Sequence, residues 1–140
     1  MATLVRHPDL TESFLPFSTR LLVNSTLPPR LRELVILRVA RRCDCVYEWT
    51  HHVRIAGKVG LSEAEIEAAG RGEAADELES ALLTAVDELD GGCNLSDETW
   101  AVLGEHLEER QVMDLVFTVG AYCTLAMALN TFGVEPERKG

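Results

Sequence analysis

The sequence has little that would build a sheet, a disulfide scaffold or a nucleic-acid surface. No run of its 140 residues alternates with period two between turn residues, so a strand-built core is not expected. Positive charge is scarce: 13 Lys and Arg stand against 23 Asp and Glu, a formal charge of −10. A surface that negative repels phosphate backbones and anionic membranes, which argues against nucleic-acid and membrane partners. The four cysteines, Cys43, Cys45, Cys93 and Cys123, lack the dense spacing of a secreted disulfide scaffold and fit no CxxC…CxxC zinc pattern. No apolar leader precedes Pro8, and a reducing cytoplasm is the expected location. There are only 5 prolines and 10 glycines, without repeats or low-complexity tracts, and 46% of the residues are apolar. That composition supports a packed core, expected here as one domain over 1–140.

What is present is a succession of helix signals. Leu10 to Val23 carries a mixed apolar pattern interrupted by Pro16. Pro28-Pro29 marks a helix start, because a first-turn proline has no hydrogen bond to lose. The apolar stripe that follows runs to about Arg42. Tyr47 to Val59 reads as another helix closed by Gly60, and Ser62-Glu63-Ala64-Glu65 is a capping box for a short one ending at Gly70. Leu78, Leu82, Val86 and Leu89 form a helical face that ends at Gly91-Gly92. Ser96 caps a helix with Trp100, Leu103 and Leu107 expected on one side. The stretch Val112 to Leu129 reaches membrane-spanning length, but Asp114, Thr118, Gly120 and Thr124 interrupt it, and a buried central helix is the better reading. The expected fold class is all-α.

The segment richest in chemistry runs from Arg42 to His52. On a helix Glu48 and His52 are one turn apart, and Cys45 falls on the same stripe three and seven residues before them. A thiol, a carboxylate and an imidazole together suit proton transfer and nucleophilic chemistry. Cys45 also stands where the helix begins, so its amides and dipole favour a thiolate, while Glu48 opposes it. A modestly lowered thiol pKa, and the fastest reaction of the four thiols, are the expectation. The plainer reading, a small core cysteine beside a surface Glu–His pair, stays open. A metal at Cys45, Glu48 and His52 fits by ligand type but lacks a fourth donor, so neither metal nor cofactor is expected. Glu33, in the preceding helix, can reach the same pocket if the chain folds back. Tyr47, Trp49 and His51 are expected to line it. His7 and His106 read as exposed, Cys93 and Cys123 as structural, and Trp100 and Tyr122 as core or interface residues.

Glu33, Cys45, Tyr47-Glu48-Trp49, His52, Ala56 and Gly60-Leu61-Ser62 resemble the carboxymuconolactone decarboxylase-like family, which includes the alkylhydroperoxidase AhpD-like proteins. The family signature is an acid in one helix, then Cys-x-x-Cys-x-x-x-His or a Tyr-Glu-Trp variant, then an alanine-rich stretch and Gly-Leu-Ser. The likeness spans about Leu27 to Ile66, and the helix from Gly120 to Asn130 is also similar. It implies an AhpD-like helical bundle, assembled as a trimer or hexamer with pockets near subunit interfaces. It matches Glu33 to a proton-relay acid, Cys45 to the first cysteine of a redox pair and His52 to the histidine after it. Glu48 occupies the place of the second cysteine, so the family's disulfide cannot form here. An oxidised Cys45 would need Cys43 or an external thiol reductant to resolve it.

Three functions follow from the resemblance. The first is AhpD-like peroxidase or thiol-redox chemistry by Cys45 with a Glu33, Glu48 and His52 proton relay. The second is a carboxymuconolactone decarboxylase-type lyase or isomerase, in which Glu48 and His52 act as acid and base on a small carboxylated or lactone substrate. That branch's particular arginine and histidine arrangement is not visible in this segment. The third is a non-catalytic helical oligomer that binds a small molecule.

Overall fold

Prolines open the first two helices. A short 3-10 turn, Leu4–Arg6, leads into α1 (Pro8–Val23), which passes through Pro16 without ending, and Pro28 precedes α2 (Pro29–Arg42). The computed structural model describes residues 4–136, and all regular elements among the described residues are helices. The helices α3 (Val46–Lys58), α4 (Glu63–Gly70), α5 (Glu77–Gly92), α6 (Asp97–His106) and α7 (Glu109–Thr131) complete the order.

Helix α2 is the hub. It is buried on nearly every side from Leu31 to Ala40 and packs against α3, α4, α5 and α7. Between its arginines Leu31, Leu34, Val35, Ile36, Leu37, Val39 and Ala40 point in several directions, so neighbours on more than one side are needed to cover them. Its end is a tight turn: Asp44 takes a left-handed φ of 48°, and the Cys45 N–H donates to the Ala40 carbonyl at 2.9 Å. This bond satisfies a terminal carbonyl of α2 and reverses the chain, so that α3 folds back along α2. The same device ends α3, with Gly60 at φ 100° and the Leu61 N–H bonded to the Ala56 carbonyl. The Ser62–Glu65 capping box starts α4 as the sequence indicates. Helix α5 runs through Gly91 and Gly92, and Cys93 rather than a glycine takes its left-handed cap (φ 59°).

One expectation is adjusted. Trp100 is 55% exposed, because the buried face of α6 steps by four through Thr99, Leu103 and Leu107 and leaves Trp100 at its edge. Helix α7 is long and apolar enough to cross a membrane by length and composition, yet half of that stretch is buried within the fold. Its interruptions have structural tasks. Asp114 Oδ2 accepts from both the Thr26 N–H and the Thr26 hydroxyl at 2.7 Å, and Gln111 donates to the Thr26 carbonyl. These bonds fasten the α1–α2 loop to α7.

Asp114→Ala leaves the Thr26 amide without its partner. It is expected to destabilise the fold by about 1–3 kcal/mol, read as a lower urea midpoint at unchanged slope. An unaltered midpoint would remove this fastening role.

Candidate active site

The reversal at Asp44 folds α3 back along α2, so that His52 in its second turn reaches Glu33 of α2. Glu33 from α2 and Glu48 and His52 from α3 meet there, all three buried. Glu48 and His52 are one turn apart and share a face, as their spacing requires. The His52 ring is held at both nitrogens: Nδ1 lies 2.6 Å from Glu33 Oε1, and Nε2 lies 3.2 Å from Glu48 Oε2. Arg32 Nε donates to the other Glu33 oxygen at 2.8 Å. Tyr122 of α7 stands edge-on to the imidazole, with ring centres 5.3 Å apart, and His51 flanks it in the same manner.

Burial alone would drive a proton off His52. The hydrogen bonds to Glu33 and Glu48, and their charges, outweigh it and hold the pKa up at about 9. The imidazole therefore carries a proton at neutral pH, and two carboxylates face two cations, His52 and Arg32. Burial, followed by the Glu48 and Glu33 charges, pushes the Tyr122 phenol well above its ordinary range. One turn before Tyr122 on the same face of α7, the buried Thr118 hydroxyl has no hydrogen-bond partner among the described residues.

Cys45 departs from expectation. It is the residue before α3, with extended backbone angles (φ −96°, ψ 92°), so its side chain does not continue the helical stripe of Glu48 and His52. It is 1% exposed and packs against Ala126 and Leu129 of α7. The cavity it borders, about 180 Å³, is lined with Ala40, Arg41, Asp44, Val46 and Trp49, and by none of Glu33, Glu48 or His52. Its thiol pKa is raised, not lowered. Burial is the larger effect, and the amides of Glu48 and Tyr47 that pull the other way do not overcome it. Burial likewise raises Cys43, and it pushes Cys123 up to about 12 with help from neighbouring Cys43 and Asp90. The four cysteines are free thiols.

The aromatic residues also divide. Tyr47 and His51 stack on each other beside His52, on the outer side of α3. Trp49 turns away, under the Arg41 guanidinium at 3.9 Å and against Gly70, where even a methyl group would meet its ring at 2.8 Å. Sequence reasoning did not single out Arg32, and it took Tyr122 for a core or interface residue. The one available signal for Arg32 was its position next to Glu33. Nothing local connects Tyr122 to His52, 70 residues earlier.

The sequence pattern of the carboxymuconolactone decarboxylase family matches residues 8–90. No curated protein shows significant sequence similarity to the chain. Among solved structures, a protein of unknown function from Agrobacterium tumefaciens, provisionally described as antioxidant defence protein AhpD, superposes with a TM-score of 0.85 at 20% identity. That match covers 99% of this chain and 98% of the other. A peroxidase-related protein from Silicibacter sp. TM1040 gives 0.80 at 15% identity, covering 90% and 69%. The debrominase Bmp8, in complex with 2,3,4-tribromopyrrole, gives 0.79 at 16% identity, covering 96% and 74%. At these identities the likeness establishes the AhpD-like fold alone.

A raised imidazole pKa links the His52 proton to stability. The contribution is complete below about 6.5, the ordinary histidine value, and is lost as pH rises through about 9. Urea midpoints are therefore expected to fall between pH 7 and 10. Glu33→Gln should shrink that fall and bring the imidazole titration, followed by nuclear magnetic resonance, down towards neutrality. A His52 signal that already titrates near 6.5 in the unaltered protein would contradict the clamp.

Proposed function

This chain belongs to the carboxymuconolactone decarboxylase family, and from that premise we propose that it is an acid–base enzyme acting on a small carboxylated or lactone substrate. The observation that carries the reading is the imidazole clamped between Glu33 and Glu48. Loss of carbon dioxide from a carboxylate leaves an electron pair on carbon, and each turnover consumes one proton there. His52, protonated at neutral pH, supplies that proton from its Nε2 side, either directly or through Glu48, the most exposed of the three groups. Glu33 is a positioning residue: it fixes the ring through Nδ1 and balances its charge, with Arg32 holding the second Glu33 oxygen. An isomerase uses the same pair in both directions, removing a proton at one carbon and returning it at another. Tyr47 and His51, stacked on each other with His51 edge-on to His52, are the side chains proposed to contact the substrate.

The thiol-redox reading draws less support from the geometry. It asks a buried thiol with a raised pKa to attack a peroxide. It also requires Cys43 or an external thiol to resolve the product, since Glu48 stands where a second cysteine would be.

We also propose a homo-oligomer, a trimer or hexamer, in which small-molecule access to His52 forms at a subunit boundary. Phe17 of α1 and Phe117 of α7 meet edge-to-face at 6.1 Å while each keeps 40% or more of its surface in solvent, and Met113 and Met127 are exposed on the same long helix. Apolar surface of this kind is what subunits cover.

His52→Asn and Glu48→Gln are each expected to lower kcat by about 10²–10⁴-fold, measured as carbon dioxide release or isomerisation across a panel of small lactones and unsaturated carboxylates. Cys45→Ser is expected to keep most of the activity. Peroxide consumption with excess dithiol, lost in Cys45→Ser and intact in Glu48→Gln, would overturn the acid–base reading. Light scattering is expected to give three or six times the 15.5 kDa chain mass, and a monomer at micromolar concentration would refute the assembly.

A further inference from the structure

A second group of chemically capable side chains gathers on the other side of the Cys45 turn. Cys43 caps the C-terminal end of α2, Asp90 stands near the end of α5, and Cys123 lies within α7. The two sulfurs and one Asp90 oxygen all lie within 4.8 Å of one another, and the Cys123 thiol donates to Asp90 Oδ1 at 3.7 Å. A tetrahedral zinc ion, with metal–sulfur bonds of about 2.3 Å, separates its donors by roughly 3.5–3.8 Å. The three donors thus need to close by about 1 Å or less, which side-chain rotation provides.

The surroundings hold these donors in place. The Cys43 N–H donates to the Val39 carbonyl at 2.9 Å, and its own carbonyl accepts from Asn130 Nδ2 of α7 at 2.7 Å. Arg42 Nε donates to Asp90 Oδ2 at 2.8 Å. That bond leaves Oδ1 turned to the thiols, in the way an outer hydrogen bond orients a metal-ligating carboxylate. Cys43 and Cys123 are half-buried, so a cation can reach them without the fold opening.

We propose that Cys43, Asp90 and Cys123 form a binding site for a divalent cation of the zinc class, with water as the fourth ligand. Two thiolates and a carboxylate select a borderline-soft ion over magnesium or calcium. Binding displaces the two thiol protons to solvent, and the cation takes their place between the sulfurs. The site joins the ends of α2 and α5 to α7 and is independent of the acid–base reading, because it uses none of Glu33, Glu48 or His52.

The test is an anaerobic cobalt(II) titration of the full chain, kept reduced with a phosphine. The expected result is saturation at one cobalt per chain, with a near-ultraviolet thiolate-to-cobalt charge-transfer band, tetrahedral visible bands, and displacement of both by zinc. Calorimetry in buffers of different ionisation enthalpy should report about two protons released per zinc. Cys43→Ser and Cys123→Ser should each weaken binding at least about tenfold, and Asp90→Asn should weaken it while keeping the sulfur band. Cys93→Ser should bind as the parent does, and Cys43→Ala with Cys123→Ala, checked by circular dichroism, covers the case of a serine variant that misfolds. No charge-transfer band at stoichiometric cobalt overturns the proposal. So does a band that survives both the Cys43 and Cys123 substitutions, or a reduced chain that binds no cobalt yet closes a Cys43–Cys123 disulfide on mild oxidation.

Discussion

The rest of the site depends on one buried imidazole held at both of its nitrogens. A protonated histidine is costly to bury, and so is each carboxylate beside it, and the arrangement persists because each of these charges has a partner at hydrogen-bond distance. Such clusters contribute little net stability compared with an apolar packing of the same volume, whereas removing one partner costs about 3–5 kcal/mol because it strands the others. A fold under pressure only to be stable would fill this space with leucine. Two acids, an imidazole and an arginine where α2 meets α3 therefore point to chemistry, and they also fix the register of the two helices, since a shift by one residue would break both His52 bonds.

The turn at Cys43-Asp44-Cys45 makes that register possible. A single left-handed residue, Asp44, lets α2 end and α3 begin with almost no intervening loop. Aspartate tolerates this conformation better than most side chains, although less well than glycine. The same turn decides the fate of the two cysteines around it. Cys45 packs against Ala126 and Leu129 of α7, while Cys43 is left at the helix end facing Cys123 and Asp90. Two thiols one residue apart thus face different surroundings, and only one of them meets a third donor.

Much of the fold was legible because it is written in local signals: prolines at helix starts, a serine capping box, a glycine at the end of α3 and apolar residues at helical spacing. The Glu48–His52 contact was legible for the same reason, since a separation of four sets both on one face. Glu33 was within reach once a fold-back was allowed. The direction of Cys45 was not, because a stripe argument assumes helical backbone angles and the residue before a helix does not have them. Tyr122 and Arg32 were missed because their roles arise from packing between distant segments. Asp114 looked like an interruption of an apolar run, and only its bonds to Thr26 show that the interruption is the point.

The glutamate at position 48 changes what this scaffold can do. A thiol pair works by passing electrons, and each of its members must reach the other and become a thiolate. A carboxylate in that place cannot carry electrons, but it can hold an imidazole in its charged form, and Glu48 does so together with Glu33. Burial makes any thiolate at Cys45 harder to form, and the same negative charge adds a smaller penalty. The two chemistries therefore compete for one position: the residue that strengthens the proton donor weakens the nucleophile. The proposed acid–base function rests on that competition. Glu33, Glu48 and His52 are partnered with one another and the imidazole pKa is held at about 9, whereas Cys45 is buried and has no cysteine at position 48 to pair with.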